Sequence, residues 1–363
     1  MDDHSNMTGM LSGSQATRAF FLGLTFGLMI SFFLACISSL TSFKQTKDFS
    51  YEKLRSLLDT RSLMQVTNSA EDFHNNLDRN IKDAKPMLMD DSHFHHDNNS
   101  VAKELEKNIR VLCWVMTSPQ NLDKKAIHVK KTWAKRCNIL IFISSTTNTS
   151  FPTIKMNTTE GREHLTAKTM QAFRYVYDNY KDAADWFMKA DDDTYVILEN
   201  LRYFLNDYKP SDPVYFGHHF KTIVKQGYYS GGAGYVLSKE ALSRLATKGR
   251  NPKVCRQDGG AEDAELGKCM ENLGVKTVNS TDALGRSRFH CFDPETHLFG
   301  GYPDWYYQYD ANGAKKGTES ISDYAISFHY VPPQKMYALE FYIYHLRPFG
   351  IESGHQHLNV HEH

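Results

Sequence analysis

The sequence predicts a mixed α/β domain on a mostly parallel central sheet, preceded by one N-terminal transmembrane helix. Three observations carry this reading. An uncharged apolar run covers residues 19–40, a polar stretch follows it, and from about Lys103 short apolar runs alternate with segments of helical period. Lys+Arg and Asp+Glu balance at 42 each, so no overall field gathers nucleic acid, and any partner is recognised locally.

The run "AFFLGLTFGLMISFFLACISSL" is long enough as a helix to cross a hydrocarbon layer of roughly 30 Å. It exceeds the apolar region of an ordinary signal peptide, and residues 1–18 carry Asp2 and Asp3 against Arg18, so it reads as an uncleaved anchor behind a short tail. Lys44 and Lys47 just beyond it leave charge bias without a vote on orientation. Other residues decide. Asn98, Asn148, Asn157 and Asn279 are each followed two residues later by Ser or Thr, as glycosylation acceptors are. Cys36 lies in the apolar run, and Cys113, Cys137, Cys255, Cys269 and Cys291 show no CxxC or metal-type spacing, which suits disulfides in an oxidising lumen. Cys113 and Cys137 flank one strand-helix-strand passage. Cys255 and Cys269 would close a short loop worth about 3 kcal/mol in the chain-entropy model, and Cys291 is left over.

Residues 41–102 are polar, with the composition of a stem, and His93, His95 and His96 within them read as a solvated spacer. The domain then runs over 103–350. "IRVLCWVM" reads as a buried strand, "LDKKAIHVKKTWAKRC" as a helix, and "NILIFIS" as another strand. "LTAKTMQAFRYVYDNY" sets Ala172, Phe173, Val176, Tyr177 and Tyr180 on one helical stripe, and "DWFMKA" supplies a further strand. That order implies a mostly parallel sheet covered on both faces. Residues 351–363 are polar and read as a flexible tail.

Asp191, Asp192 and Asp193 follow the strand "DWFMKA" directly, where open parallel sheets collect ligands. Carboxylates there could hold a hard divalent cation, which would in turn neutralise a nucleotide's phosphates. Thr194, Tyr195 and Val196 break both the EF-hand pattern and an aspartyl-phosphate pattern. An acidic turn capping the helix "TYVILENLRYFL" remains the rival. Gly231, Gly232 and Gly234 in "KQGYYSGGAGYVLS" permit close backbone approach. Glu262 and Asp263 open a helix whose apolar stripe is Leu266, Cys269, Met270 and Leu273, and an acid there could take a proton from a hydroxyl. His329 in "AISFHYV" could complete a cation site that is short of carboxylates.

"RVLCWVMTSPQNLDKKAIHVKKTWAKRC", "DWFMKADDDTYVILENLR", "VYFG", "VKQGYYSGGAGYVLSKEAL", "AEDAELGKCM" and "AISFHYV" together resemble the core 1 β1,3-galactosyltransferases, in the β1,3-glycosyltransferase family that includes Fringe. The resemblance covers about Lys103 to Gly350. It implies a GT-A nucleotide-sugar transferase fold in a single-pass type II Golgi membrane protein with its catalytic domain in the lumen. It further implies UDP-galactose as donor, Mn2+ as cofactor and GalNAc α-linked to Ser or Thr of a glycoprotein as acceptor.

Matched to the family's motifs, Asp193 and His329 are the expected metal ligands, Asp191 lies on the nucleotide side, and Asp263 is the expected general base. Thr117, Lys225 and Gly232 complete the donor candidates, and Trp305, Tyr228 and Glu262 are the acceptor candidates, Trp305 as a platform for the apolar face of GalNAc. The implied mechanism is a single inverting displacement. The family carries adjacent cysteines shortly before "SFHY", whereas this chain has "GTESISDYAISFHYV" and, elsewhere, an unexpected Cys291. A related β1,3-glycosyltransferase with another donor or acceptor, and a catalytically silent relative that binds or chaperones a transferase, are the alternatives. A homodimer is left open.

Overall fold

The computed structural model describes residues 97–351, which fall in the second of two units divided after Ala84. The expected tail 1–18, the anchor 19–40, the stem up to residue 96 with its histidines, Cys36, and the segment after Ile351 lie outside the described residues. No helix among the described residues is long and apolar enough to cross a membrane.

Helix α1 (Ser100–Asn108) begins ahead of the expected boundary at Lys103 and leads into β1 (Val111–Met116), buried at every position. The predicted helix after β1 forms in pieces: a π turn over Leu122–Ala126, α2 (Ile127–Lys131) and a 3-10 turn over Trp133–Arg136. The break falls at Thr132, whose hydroxyl turns back onto the His128 carbonyl at 2.7 Å and competes with the backbone ladder. Strands β2 (Ile139–Ser144) and β3 (Ile154–Lys155) follow, then α3 (Leu165–Tyr180), which buries Ala172, Phe173 and Val176 of the predicted stripe. Next come β4 (Trp186–Asp191), β5 (Tyr195–Val196), α4 (Leu198–Leu205), β6 (Val214–Gly217), β7 (His219–Phe220), β8 (Tyr228–Tyr229) and β9 (Tyr235–Ser238). The chain closes with α5 (Lys239–Thr247), α6 (Glu262–Asn272), β10 (Lys276–Thr277), β11 (Phe289–His290), α7 (Pro294–Phe299), α8 (Asp304–Tyr309), β12 (Ser327–Phe328) and α9 (Pro333–Tyr344).

The central sheet has the order β10-β6-β9-β4-β1-β2-β3. Its pairs β4·β1, β1·β2, β2·β3 and β10·β6 are parallel, as expected, but β9 runs antiparallel to both β4 and β6. Apolar cores cover both faces: Val111, Cys113 and Val115 of β1 face one, Leu112 and Trp114 the other. The disulfides Cys113–Cys137 and Cys255–Cys269 form as expected, and Cys291 is free and buried.

One element differs from its sequence pattern. "TYVILENLRYFL" does not begin as a helix: Tyr195 and Val196 pair antiparallel with Phe328 and Ser327, and α4 starts only at Leu198, with Ile197 before it and no side-chain cap. Aromatic and β-branched side chains that find buried cross-strand neighbours favour the strand here. The three aspartates are therefore not a helix cap.

Candidate active site

Strands β1 and β4 lie side by side with Met116 opposite Asp191, so the residues leaving both strands meet at the carboxyl ends of these two inner strands. An open cleft of about 770 Å³ lies there, walled on its far side by the start of α6 and the glycine turn before β9.

Alternation along β4 sends Trp186, Met188 and Ala190 into one core and Phe187, Lys189 and Asp191 toward the other face. Lys189 is 2% exposed and sets its ammonium 2.6 Å from Asp191 Oδ1. Asp192 turns away toward β1, where it accepts from Thr117 Oγ1 at 2.8 Å and Asn121 Nδ2 at 2.9 Å. Asp193 accepts from Lys125 Nζ at 2.8 Å through Oδ2 and places Oδ1 3.2 Å from His329 Nε2. Lys125 Nζ also stands 3.6 Å from Asp192 Oδ1, so each carboxylate faces a cation or hydrogen-bond donors and Lys125 serves two of them, which answers the repulsion of three adjacent charges. Thr194 holds the turn: its hydroxyl accepts from the Asp191 backbone N–H and donates to the Gly232 carbonyl at 2.7 Å.

Burial pushes the Asp193 carboxyl up, but the His329 ring and the Lys125 ammonium outweigh it and hold the group well below the usual carboxylate range. Asp192 moves the other way, because burial exceeds the help of Thr117 and Asn121.

Asp191, Asp193 and His329 offer ligand atoms that all lie within 4.8 Å of one another. A hard divalent ion with bonds of about 2.1–2.4 Å spaces adjacent octahedral ligands about 3.0–3.4 Å apart, and Asp193 Oδ1 and His329 Nε2 already stand at 3.2 Å. Two carboxylates with one imidazole suit a first-row ion such as manganese better than calcium. Gly232 makes room for the imidazole, since a Cβ there would collide with the His329 ring.

Asp263 sits in the first turn of α6 on the same cleft. Its Oδ1 accepts from the Ala264 N–H at 2.8 Å and its Oδ2 from the Gly231 N–H at 3.3 Å, which orients both oxygens. Burial raises its pKa against those donors and against the attraction of Lys189. Glu262 beside it is buried, accepting from Thr169 Oγ1 at 2.8 Å and Tyr235 OH at 2.6 Å. Burial also raises Glu262, and the charge of Asp263 adds to the effect.

Of the sequence candidates, Asp191, Asp193, Asp263, His329, Thr117, Gly232, Glu262 and Trp305 line this cleft. Trp305, on α8, is 44% exposed and packs edge-on against Phe220. Tyr228 is buried on β8 with its ring against Phe220, and Lys225 is exposed on the turn before β8; neither lines the cleft. Where the resemblance leads one to expect paired cysteines, hydrogen bonds hold the loop instead: Ser320 Oγ donates to the His297 carbonyl at 3.0 Å, and the Ser287 N–H to the Ser320 carbonyl at 3.0 Å. Cys291 lines the cleft and takes part in no disulfide.

Lys189, Lys125 and Asn121 escaped the sequence reading. Lys189 had a legible signal, a lone cation within the apolar run Trp186 to Ala190, two positions before Asp191 and hence on its face. Lys125 and Asn121 had none, because their contacts depend on how the broken helix after β1 folds back over the aspartates.

The chain is 48% identical over 270 residues to a glycoprotein-N-acetylgalactosamine 3-beta-galactosyltransferase 1 of Xenopus laevis, covering 73% of this chain and 75% of that protein. It is 30% identical over 155 residues to a mouse beta-1,3-glucosyltransferase, covering 42% of this chain and 31% of that protein. It is 28% identical over 184 residues to mouse chondroitin sulfate synthase 3, covering 44% and 20% respectively. The Fringe-like family pattern matches residues 107–290, the stretch that carries β1, the aspartates and Asp263. With that pattern over about half its length and 48% identity to a relative it spans by 75%, the chain belongs to the Fringe-like family of glycosyltransferases.

Proposed function

We propose that the protein transfers galactose from UDP-galactose to O3 of GalNAc α-linked to Ser or Thr, with inversion, from a GT-A domain. The single observation that carries the reading is the pairing, in one cleft, of a cation-type cluster, Asp191, Asp193 and His329, with a separate carboxylate, Asp263, held by two backbone donors. The 48% identity to the Xenopus laevis enzyme supports the donor and acceptor assigned.

In this reading Asp193 and His329 hold Mn2+, and Asp191 lies on the nucleotide side. When bound, the ion supplies Lewis-acid stabilisation of the departing diphosphate. Asp263 takes the proton from the acceptor O3, and the raised pKa that burial gives it makes it a better base than a free carboxylate. The exposed ring of Trp305 offers a face for the acceptor sugar. The domain is tethered in the Golgi lumen by residues 19–40 through the stem 41–102.

The test is transfer from a panel of UDP-sugars to a GalNAcα-Ser/Thr peptide by the detergent-solubilised full chain, with manganese and with chelator. Manganese-dependent transfer from UDP-galactose alone is expected. Transfer from another UDP-sugar reassigns the donor, and metal-dependent nucleotide binding without any transfer points to a silent relative.

A further inference from the structure

Lys189 is the least expected charge in the domain. A fully buried lysine is rare and is costly unless its charge is answered on every side. Here it stands in a strand whose other side chains up to Ala190 are apolar, opposite Trp114 on β1 and Tyr235 on β9. Its ammonium donates to Asp191 Oδ1 at 2.6 Å and to the Gly231 carbonyl at 3.0 Å, with the Tyr235 ring centroid 5.7 Å away.

Those contacts reach two different parts of the cleft. Asp191 belongs to the cation cluster, whereas Gly231 lies against α6: a Cβ on it would stand 2.7 Å from Glu262 Oε2, 3.5 Å from Asp263 Cβ and 3.5 Å from Lys189 Nζ. The N–H of the same Gly231 donates to Asp263 Oδ2 while its carbonyl receives Lys189. One glycine residue, through its N–H and its carbonyl, and one ammonium therefore connect Asp191 to the carboxylate on the opposite wall. Tyr235, paired with Lys189 across the sheet, donates to Glu262 and closes the circuit.

We propose that Lys189 is a positioning residue for the transfer, whose single buried charge holds Asp191 at the donor end and the Gly231 turn with Asp263 at the acceptor end in one arrangement. This rests on the function proposed above. The charged and titratable groups that face it are Asp191, Glu262, Asp263 and Tyr235, and the attraction of Lys189 lowers both acids on α6 against the pull of burial. A residue that only filled the core would set neither donor affinity nor the acidity of the base.

Lys189→Met in the full chain tests this with two readouts. UDP-galactose affinity with manganese, by calorimetry, should weaken at least tenfold. The acid limb of the kcat–pH profile should move up by about one pH unit, because Asp263 loses a neighbouring cation. A folded variant in which either readout stays at the wild-type value overturns the proposal. Should Lys189→Met not fold, Lys189→Arg decides: it retains the charge but not the fit, so weaker donor binding with the acid limb in place supports the role, and native donor affinity or a displaced limb overturns it. Wild type measured alongside separates the two readings. A wild type that transfers no galactose sinks the proposed function, and Lys189 then stands or falls on UDP-galactose affinity alone.

Discussion

Asp193 Oδ1 and His329 Nε2 face each other at 3.2 Å, one from the turn after β4 and the other from just beyond β12. The contact depends on the small sheet in which β12 pairs with β5, since β5 follows the aspartates directly and brings the histidine segment back to them. The Val331 N–H also donates to the Asp193 carbonyl at 2.9 Å, so main chain and side chain fix the same approach.

Asp193→Ala is expected to abolish manganese-dependent binding of UDP-galactose in calorimetry, because it removes the shared carboxylate of the cluster. Unchanged affinity would remove the cation site from these residues.

Asp263→Asn keeps the shape and the Ala264 contact but cannot accept a proton. Donor affinity should stay within about threefold, while kcat falls by about 10²–10⁴. In the wild type the folded pKa is raised, so the ionised base is lost as pH falls through a value above the ordinary Asp figure of about 3.9. The kcat profile should show that acid limb, and near-normal turnover by Asp263→Asn would sink the assignment.

Gly232→Ala should displace the imidazole of His329, because the added Cβ meets the ring. Manganese affinity, read by the loss of the free-ion electron paramagnetic signal, is expected to fall at least tenfold, with a stability loss of about 1–3 kcal/mol. Wild-type manganese affinity in this variant would show that His329 is not held by that turn.

Trp305→Ala should raise the KM for the GalNAc peptide by about 5–30-fold through loss of an exposed aromatic face, leaving UDP-galactose affinity unchanged. A donor effect with no acceptor effect would place the ring elsewhere in the reaction.

Replacing Cys255 and Cys269 together by Ala should lower unfolding stability by about 3 kcal/mol in denaturant titration, as expected for a loop of this length. A loss well under 1 kcal/mol would show that the loop is already ordered by its other contacts.

Much of this molecule is local in origin and so was legible in the residues. Period and composition marked β1, β2, β4, α3 and α6, and the first-turn acid of α6 came with its helix. The aspartates stood out because three charges end a buried strand, and both disulfides join cysteines that bracket short passages, although spacing alone left the pairing open. His329 as a possible cation ligand and an acid at the start of α6 as a possible base were legible in the residues, whereas the separate roles of Asp191, Asp193 and Asp263 came from motif resemblance.

Tertiary structure decided the rest. The antiparallel course of β9, the strand at Tyr195 and Val196 where helix was expected, and the places of Lys225 and Tyr228 outside the cleft lining all depend on partners remote in sequence. So does the division of the aspartates among Lys189, Thr117 with Asn121, and Lys125 with His329. The physical reason is that periodicity records which face of an element is buried. Hydrogen bonds and ion pairs in a cleft record which elements meet, and that is settled only when the sheet order and the packing of both faces are complete.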